Sequence, residues 1–409
     1  MIELNEKKKS KLAINGAKPV RDSLLPYGRQ SINDRDLKHV SEILQSDWLT
    51  QGPEIERFEQ AVAKYVGVKY AVAYSSGTSA LHGAYYAAGL KANEEVLLAP
   101  ITFAATGNAA LYLGATPVFA DVEPDTGNID VKKIEQKITS KTKILVGIDY
   151  AGHPCDADEL REIADKHNLT FIVDAAHSLG GKYKGKQAGR LADMSILSFH
   201  PVKTLTTGEG GMVLTNNAEF YDKLLTFRTH GIEKRADKLV NKDEEQGAWY
   251  HEMQELGYNY RITDIQAALG NSQLERLPEF IKRRREIAQI YRQKLATISG
   301  IKPLIEKDGV ESAYHLFPIL VTKAPLAKYR KLVFDALRAE NIGVQVHYIP
   351  VYRHPYYQSH VVSKNKPDCP NADKFYEAEI SLPMFPAMTN KDIDDVVAAL
   401  EKISAELLS

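Results

Sequence analysis

The sequence predicts an α/β protein in which a mostly parallel sheet is covered by helices and is followed by a smaller α+β domain. Two observations predict this fold class. Short apolar runs alternate with helical segments as far as about Leu274, and the sequence then changes to one long helical segment and a second, smaller set of elements. Continuously apolar strands that alternate with helices are typical of sheets buried on both faces.

The elements of the large sheet follow in order along the chain. A helix is predicted from Asp34, because apolar residues from Leu37 to Leu44 recur at helical spacing and would form a buried stripe. The first strand then leads into a Ser/Thr/Gly-rich loop and an Ala-rich helix. The runs predicted as strands are residues 70–73, 96–100, 116–121, 143–149, 170–174, 194–199 and 211–215.

We divide the chain into a polar N-terminal arm (residues 1–25), a large domain (26–274) and a small C-terminal domain (275–409). The small domain is expected to hold a final helix that Thr389 caps, with aspartates in its first turns at the positive end of the helix dipole. Its other predicted elements are a strand at 317–321, a helix at 328–340 and a strand at 344–348.

Composition and charge exclude several classes of protein. The 409 residues carry a formal net charge of −1, so no basic field points to nucleic acid or to an anionic membrane. Cys155 and Cys369 fit no zinc or redox spacing, and we expect reduced thiols and no metal. No run approaches the roughly 18 apolar residues of a membrane span. Residues 1–11 are polar and are not followed by the apolar run of a signal peptide, so we expect a cytoplasmic protein.

The most informative segment is residues 198–204, which carries Lys203 and is followed by the glycine-rich turn 208–211. Upstream, the apolar run 170–174 ends in Asp174, which should lie at the carboxyl edge of the sheet, where open α/β folds bind ligands. An acid there and a lysine in a Ser/Thr/Gly-rich loop indicate pyridoxal phosphate (PLP). The acid can bind the pyridinium nitrogen and the lysine can form the Schiff base. Taken singly, the lysine could be a solvated surface charge and the acid a turn or helix-cap residue.

Other polar and aromatic residues could complete a cofactor site. Residues 75–79 (Ser-Ser-Gly-Thr-Ser) lie between a strand and a helix, where small residues let backbone N–H groups approach a phosphate. They do not match a nucleotide P-loop, and alone they could equally cap a helix. Ser198 is a second candidate phosphate ligand. Phe103 could stack on the cofactor ring or pack in the core, and His177 could contact the ring or be an ordinary partly buried histidine.

A further polar segment, Gly257–Arg261, precedes a predicted helix. Its sequence, Gly-Tyr-Asn-Tyr-Arg, places Asn259 and Arg261 among aromatic residues. These two side chains could reach a phosphate or a substrate, or the segment could simply join a loop to the helix.

Together these segments resemble the DegT/DnrJ/EryC1/StrS family of sugar aminotransferases, which are fold-type I enzymes that depend on PLP. The resemblance runs from about Leu25 to the C-terminus and preserves the order of the family's segments. Those segments are residues 48–53 (WLTQGP), 75–81 (SSGTSAL), 100–111 (PITFAATGNAAL), 114–121, 174–180 (DAAHSLG), 198–211 (SFHPVKTLTTGEGG), 228–231 (RTHG), 257–270 (GYNYRITDIQAALG) and 345–352 (QVHYIPVY).

The resemblance implies a complete cofactor site. It makes Lys203 the Schiff-base lysine and Asp174 the partner of the pyridine nitrogen. Many family members carry Gln where this chain has His177. The family also implies a homodimer with shared active sites, because Asn259 would reach into the neighbouring subunit's site. The remaining cofactor contacts implied by the family are Gly77, Thr78, Phe103, His177, Ser198 and Asn259.

Within the family, residues 198–211 and 345–358 look most like the enzymes that aminate a UDP-linked 4-keto-6-deoxy-N-acetylhexosamine in pseudaminic acid synthesis, with L-glutamate as amino donor. This likeness implies a set of substrate contacts. They are Tyr27, Asp47, Trp48, Leu49, Thr50, Gly77, Asn259, Gln345, Val346, His347 and Tyr348.

Other functions stay open at this point. A dTDP- or GDP-linked keto sugar could replace the UDP-linked one, because the sequence does not fix the nucleotide. In the family's dehydratases a His replaces the lysine, so Lys203 argues against that activity. A regulator of this fold carries a fused DNA-binding domain, for which the 25 leading residues are too few. A binding or structural protein with a degenerate site would not be expected to keep Lys203, Asp174, Ser198 and Asn259 together.

Overall fold

The short apolar runs of the sequence become strands in the computed structural model, which describes residues 10–241, 247–362 and 367–408. The strands are β1 (Tyr70–Tyr74), β2 (Glu95–Leu98), β3 (Thr116–Phe119), β4 (Thr142–Ile148), β5 (Thr170–Asp174), β6 (Lys182–Tyr183), β7 (Lys186–Gln187), β8 (Met194–Ser198), β9 (Gly211–Thr215), β10 (Ile232–Glu233), β11 (Glu252–Met253), β12 (Ile301–Pro303), β13 (Val310–Glu311), β14 (Phe317–Val321) and β15 (Glu379–Leu382).

The large sheet has seven strands in the order β1-β9-β8-β5-β4-β2-β3. Neighbours from β8 to β3 are parallel, whereas β9 runs antiparallel to both β1 and β8. The prediction of a mostly parallel sheet is therefore confirmed. Strands β5 and β9 begin and end at the residues expected from the sequence.

Helices cover this sheet, and polar caps mark several of their starts. Ser76, Thr263 and Thr389 each form a capping box with the residue three positions later, which satisfies backbone N–H groups of the first turn. No helix within the described ranges is long and apolar enough to cross a membrane. The helices are α1 (Asp34–Leu44), α2 (Pro53–Val66), α3 (Gly77–Ala87), α4 (Ala104–Tyr112), α5 (Ala157–His167), α6 (Ala218–Arg228), α7 (Asp264–Leu295), α8 (Leu326–Ala339), α9 (Pro355–Tyr357), α10 (Pro370–Ala378) and α11 (Asn390–Ile403).

A second sheet, β12-β14-β15, is antiparallel and packs with α8 and α11 around its own apolar cluster. Leu12 and Leu25 of the N-terminal segment are buried in the same cluster. The expected domain division at residue 274 falls inside α7, whose two ends contribute to different clusters. The proposed division of the chain therefore stays a prediction.

The expected strand at 344–348 is wrong. Only Gln345 pairs in β fashion, through a single bridge to Ser381. Two residues later the backbone N–H of His347 donates to the carboxylate of Glu379 at 2.7 Å instead of to a strand. A side-chain acceptor thus replaces the sheet ladder, and the segment turns towards the carboxyl edge of the large sheet.

Helix α1 forms as predicted, but its apolar stripe is not buried within one chain. Leu37 is 61% exposed and Leu44 is 57% exposed. The helix packs instead through Asp36, which is buried and accepts hydrogen bonds from Ser272 at 2.6 Å and Arg276 at 2.8 Å, both on α7. An apolar stripe that remains exposed is available to another surface.

Candidate active site

A cavity of about 450 Å³ opens at the carboxyl edge of the large sheet, where β4, β5 and β8 end. Ligands of open α/β folds bind at this edge. The cavity brings together many of the residues that the sequence singled out. Those in its lining are Tyr27, Gly77, Thr78, Phe103, Asp174, His177, Ser198, Lys203, His347 and Tyr348.

Asp174 closes β5 and is buried. Its Oδ2 accepts a hydrogen bond from the Thr106 hydroxyl at 2.7 Å, and its Oδ1 accepts one from the backbone N–H of Ala176 at 3.2 Å. Burial raises the pKa of Asp174, whereas these two hydrogen bonds and the positive charge of Lys203 act in the opposite direction. A cationic partner would stabilise such a buried carboxylate, so this position favours a protonated ring nitrogen.

Lys203 lies half-buried in the loop that follows β8. Within the described ranges, no hydrogen bond or ion pair involves its Nζ, although its backbone N–H donates to the carbonyl of His200 at 2.9 Å. Burial lowers the pKa of Lys203 to about 8, and the negative charge of Asp174 opposes that change. A lower pKa increases the share of neutral amine near neutral pH, which is the form that attacks a carbonyl.

The first turn of α3 faces Ser198. The Ser76 hydroxyl accepts from the backbone N–H of Ser79 at 3.1 Å, and the N–H groups of Gly77 and Thr78 have no partner among the residues described. A Cβ on residue 77 would lie 3.1 Å from the Cβ of Ser198, so a larger residue would crowd that side chain. Free N–H groups at the positive end of a helix, beside hydroxyls, form a site for a phosphate.

Aromatic and histidine side chains form another wall of the cavity. The His177 and Tyr348 rings are stacked with centroids 6.1 Å apart, and the Nε2 and hydroxyl oxygen of this pair are 3.1 Å apart. Burial lowers the pKa of His177 well below its ordinary value, so the ring is neutral. Phe103 is 62% exposed, and its ring lies 6.2 Å from that of Tyr348, so Phe103 presents an aromatic face to the cavity and is not a core residue.

These groups fit PLP. A reactive amine on Lys203, a buried carboxylate on Asp174 and the free N–H groups at the start of α3 match the cofactor's carbonyl, ring nitrogen and phosphate. The exposed face of Phe103 can cover the ring between them. The buried Nδ1 of His177, which lacks a partner in the described part of the chain, marks one further polar contact that a ligand can supply.

The sequence pattern of the DegT/DnrJ/EryC1/StrS aminotransferase family matches residues 30–401. The chain belongs to that family. The family's relatives are nucleotide-sugar aminotransferases and depend on PLP, so the predicted enzyme class and cofactor are confirmed.

Several family members are similar to this chain over nearly their whole length. The spore coat polysaccharide biosynthesis protein SpsC of Bacillus subtilis is 40% identical over 94% of this chain and 98% of its own. The UDP-4-amino-4,6-dideoxy-N-acetyl-beta-L-altrosamine transaminase of Campylobacter jejuni is 39% identical over 93% and 98%. The GDP-perosamine synthase of Escherichia coli O157:H7 is 37% identical over 90% and 95%.

Solved structures of the family share the fold. Helicobacter pylori PseC, an aminotransferase involved in the biosynthesis of pseudoaminic acid, superposes with a TM-score of 0.86 at 34% identity, over 94% of this chain and all of the other. The PLP form of the putative sugar aminotransferase Spr1654 from Streptococcus pneumoniae also gives 0.86, at 29% identity over 94% of this chain and 100% of its own. The predicted fold-type I architecture is therefore confirmed.

Asp47–Thr50 and Asn259, which the family resemblance assigns to substrate or cofactor, do not line the cavity of this chain. All of them are exposed, and the large side chain of Trp48 is 54% exposed. Thr50 forms a β-bridge with Thr263, so the two segments lie side by side at the start of α7. Their roles stay predictions, and their exposure leaves them available to a second chain.

Only part of the predicted substrate-binding segment 345–348 reaches the cavity, at the end near Tyr27. His347 and Tyr348 line the cavity, and the Tyr27 and His347 rings lie 5.8 Å apart. Gln345 and Val346 do not line it; Gln345 is exposed and pairs with the backbone of β15. His347 and Tyr348 can therefore contact a ligand, whereas Gln345 links the segment to the small-domain sheet.

Several residues of the site were missed from the sequence. Thr106, on α4, donates a hydrogen bond to Asp174, and the hydroxyl oxygens of Thr102 and Thr106 are 2.8 Å apart. Thr102 precedes α4 and Thr106 lies in its first turn. Their spacing of four residues in an apolar segment was a signal for a pair of hydroxyls, but not for the contact with Asp174. His315 lines the cavity with its ring centroid 4.4 Å from that of His177, and no sequence pattern pointed to it.

Proposed function

We propose that the protein moves an amino group from L-glutamate to C4 of a UDP-linked 4-keto-6-deoxy-N-acetylhexosamine, giving UDP-4-amino-4,6-dideoxy-N-acetyl-β-L-altrosamine. The observation that carries this proposal is the similarity to the Campylobacter jejuni transaminase, 39% identical over 98% of that enzyme. The second candidate is a GDP-linked 4-keto-6-deoxyhexose, which the similarity to GDP-perosamine synthase favours, at 37% identity.

Lys203 is the residue proposed to move protons. PLP, when bound, supplies an electron-withdrawing ring that stabilises the negative charge left when the amino donor loses its Cα proton. With a pKa near 8, Nζ of Lys203 can hold that proton at physiological pH and release it again. The neighbouring histidines do not compete for it, because burial keeps the pKa values of His177 and His315 well below the ordinary value.

Asp174 is proposed to hold the ring nitrogen in its protonated form. Its carboxylate is already oriented by Thr106 and by the backbone of Ala176, so little reorganisation accompanies binding. On the other side of the site, Gly77, Thr78 and Ser198 would hold the phosphate. With these contacts, Asp174 would hold the ring nitrogen, Phe103 would cover a face of the ring, and Lys203 would remain free to act.

The nucleotide sugar is proposed to enter past Tyr27 and His347. A cavity of about 450 Å³ is the size for one drug-sized ligand, so the cofactor would occupy much of it and the nucleotide would extend to the mouth. Tyr27 and His347 line this part of the cavity, and their rings are partly exposed. Stacking on such rings suits a flat base.

A homodimer with shared active sites belongs to the same proposal. Asn259 and the neighbouring segment Asp47–Thr50 lie outside the cavity of their own chain, as an element that serves another subunit would. The exposed apolar side chains of Leu37 and Leu44 on α1 supply surface for a partner to bury. Symmetric dimers bring the same patch from both subunits together.

The test is a substrate panel. The purified holoenzyme is incubated with L-glutamate and UDP-, GDP- or dTDP-linked 4-keto-6-deoxy sugars, and release of 2-oxoglutarate is followed together with the mass of the aminated product. The UDP-linked N-acetylhexosamine should be converted with the highest kcat/KM. Amination of only the GDP-linked sugar would replace the first candidate by the second, and no 2-oxoglutarate with any of them would overturn the proposal.

A further inference from the structure

A buried acid and a buried hydroxyl stand behind His347. Residues alternate across a strand, so Glu379 and Ser381 of β15 project from one face while Ile380 and Leu382 project into the apolar cluster on the other. Glu379 and Ser381 have no exposed surface. A carboxyl group without access to water needs a structural or functional reason, because its burial costs free energy.

The three side chains form a continuous hydrogen-bonded chain. The Ser381 hydroxyl donates to Oε1 of Glu379 at 2.5 Å, and its oxygen lies 2.8 Å from Nδ1 of His347. The other carboxylate oxygen, Oε2, accepts from the backbone N–H of His347 at 2.7 Å. Nε2, the remaining ring nitrogen, has no partner in the described ranges, and His347 itself lines the cavity.

We propose that Glu379, acting through Ser381, sets the tautomer of His347 and so decides whether Nε2 accepts or donates a hydrogen bond in the cavity. Glu379 and Ser381 are positioning residues in this proposal, because neither lines the cavity. The assignment follows from counting protons along the chain, since one hydroxyl has a single hydrogen to donate.

With Glu379 ionised, Ser381 must donate its hydrogen to Oε1. Its oxygen then accepts from His347, so the imidazole carries its proton on Nδ1 and offers a lone pair at Nε2. When one proton is added at Nε2, the Nδ1 proton passes to the Ser381 oxygen and the Ser381 hydrogen passes to Oε1. The imidazole is neutral before and after, the carboxylate becomes a carboxylic acid, and Nε2 becomes a donor.

The surroundings keep the imidazole neutral and hold the acid near its titration point. Burial and the charge of Lys203 lower the pKa of His347 to about 3. Burial raises the pKa of Glu379 to about 8, while its hydrogen bonds and the charge of Arg330 on α8 oppose the rise. In the described part of the chain, the phenols of Tyr150 and Tyr348 also lie close to the carboxyl, and both stay protonated because burial raises their pKa values.

The proposal deepens the proposed function at the sugar end of the cavity, and its consequence for substrate rests on that function. An amide N–H of the substrate would be bound by the Nδ1–H tautomer, and a carbonyl oxygen by the Nε2–H tautomer. The wrong tautomer would place two donors or two acceptors face to face. Such a mismatch weakens binding by roughly tenfold to a hundredfold.

The test uses the holoenzyme labelled with ¹⁵N-histidine, with the His347 signals assigned from their absence in His347→Asn. In Glu379→Gln the amide N–H must donate to the Ser381 oxygen, because the amide oxygen is taken by the His347 backbone N–H. The ¹⁵N shifts should then report a proton on Nε2 at every pH. Wild type should report a proton on Nδ1 once pH exceeds the pKa of Glu379.

Matched variants at position 381 control the test. Ser381→Ala breaks the chain, so residue 379 and pH should no longer affect the tautomer, whereas Ser381→Thr keeps the hydroxyl and should keep the dependence. If Glu379→Gln does not fold, the wild-type pH titration against Ser381→Ala carries the same test. One tautomer in all variants and at all pH values would overturn the proposal.

A second measurement separates this proposal from the proposed function. The KM for the nucleotide sugar should change with pH across the titration of Glu379 in wild type and lose that dependence in Glu379→Gln. A tautomer change without any change in KM would support the role of Glu379 and Ser381 in setting the tautomer, but would contradict the contact between His347 and the sugar. A constant KM together with a constant tautomer would overturn both statements.

Discussion

Thr106 donates its hydroxyl hydrogen to Oδ2 of Asp174 across 2.7 Å, and both side chains are buried. The bond joins the first turn of α4 to the last residue of β5. It lowers the pKa of a carboxyl group that burial otherwise raises. The orientation and the charge of Asp174 therefore depend on a residue that belongs to a different element.

Thr106→Val is expected to weaken cofactor binding. Valine keeps the volume of the side chain but leaves a buried carboxylate oxygen without its donor, so the pKa of Asp174 should rise further and less of it should be ionised at neutral pH. Loss of a hydrogen bond to a charged group corresponds to a decrease of roughly tenfold to a hundredfold in affinity for PLP. Equilibrium dialysis of the apoenzyme with PLP measures the effect.

The matched control for this prediction is Thr106→Ser, which keeps the hydroxyl and loses only a methyl group. It should bind PLP within a few-fold of wild type. The acid limb of the pH–rate profile should move to higher pH in the valine variant and stay in place in the serine variant. Equal affinities for PLP in wild type and Thr106→Val would contradict the role given to this hydrogen bond.

Lys203→Ala is expected to lower kcat by at least about a thousandfold, because no other lysine among the described residues lines the cavity to carry the proton. Lys203→Arg should be as inactive, since a guanidinium stays protonated at neutral pH although it keeps the positive charge. Borohydride reduction of wild-type holoenzyme followed by peptide mapping should place the cofactor's mass on Lys203. Turnover near the wild-type rate in either variant, or the mass on another lysine, would show that the assignment is wrong.

Much of the fold follows from local pattern. β5, β9 and β14 have the bounds that the sequence predicts, because a continuous apolar run with polar ends is what a strand buried on both faces needs. The cap at Thr389 likewise depends only on residues a few positions away. The wrong prediction of a strand at 344–348 has a different cause. There the backbone N–H of His347 donates to the carboxylate of Glu379, which lies 32 residues away in the sequence.

The same distinction separates the predicted from the missed parts of the site. Lys203 and Asp174 were found because each stands in a recognisable local setting. Thr106 lies 68 residues from its partner Asp174, and Ser381 lies 34 residues from His347, so nothing in their own neighbourhoods indicates the contact. Periodicity reports which face of an element is buried; it does not report which distant polar groups meet there.

Glu379 is expected to make the protein less stable as pH rises. Its pKa is about 8 in the folded chain against an ordinary value of 4.5. Between these values the folded state binds a proton that the unfolded state has lost, so the free energy of unfolding falls with increasing pH through that window. Glu379→Gln cannot ionise and should remove this part of the pH dependence.

Thermal unfolding at about pH 6 and about pH 9 measures the prediction, and the difference between the two variants cancels the contribution of other groups. The Tm of wild type should fall more between the lower and the higher pH than the Tm of Glu379→Gln does. Partly exposed Glu377→Gln, in the preceding helix, serves as the matched control and should behave as wild type. The same loss of Tm in wild type and Glu379→Gln would mean that Glu379 is ionised throughout the interval.

Subunit mixing tests whether Asn259 serves the neighbouring subunit. A chain with Lys203→Ala and a chain with Asn259→Ala are each expected to have little activity alone. In a mixed dimer with shared sites, one site combines the intact Lys203 of one subunit with the intact Asn259 of the other, while the second site carries both defects. Denaturing and refolding an equal mixture should then restore about a quarter of the wild-type rate, since half of the dimers are mixed and each has one intact site.

The position of Asn259 allows subunit mixing to distinguish a shared site from a site within one subunit. Asn259 is exposed and lies outside the cavity of its own chain, next to Thr229, with which it forms a β-bridge. If it acted within its own subunit, every site of every mixed dimer would carry one defect and no activity would return. A mixture of Lys203→Ala with Asp174→Asn is the control: both residues line one cavity, so mixing should restore a site only if each subunit's cavity worked with the other's residues. Recovery in the first mixture and none in the second is the result that a shared site requires.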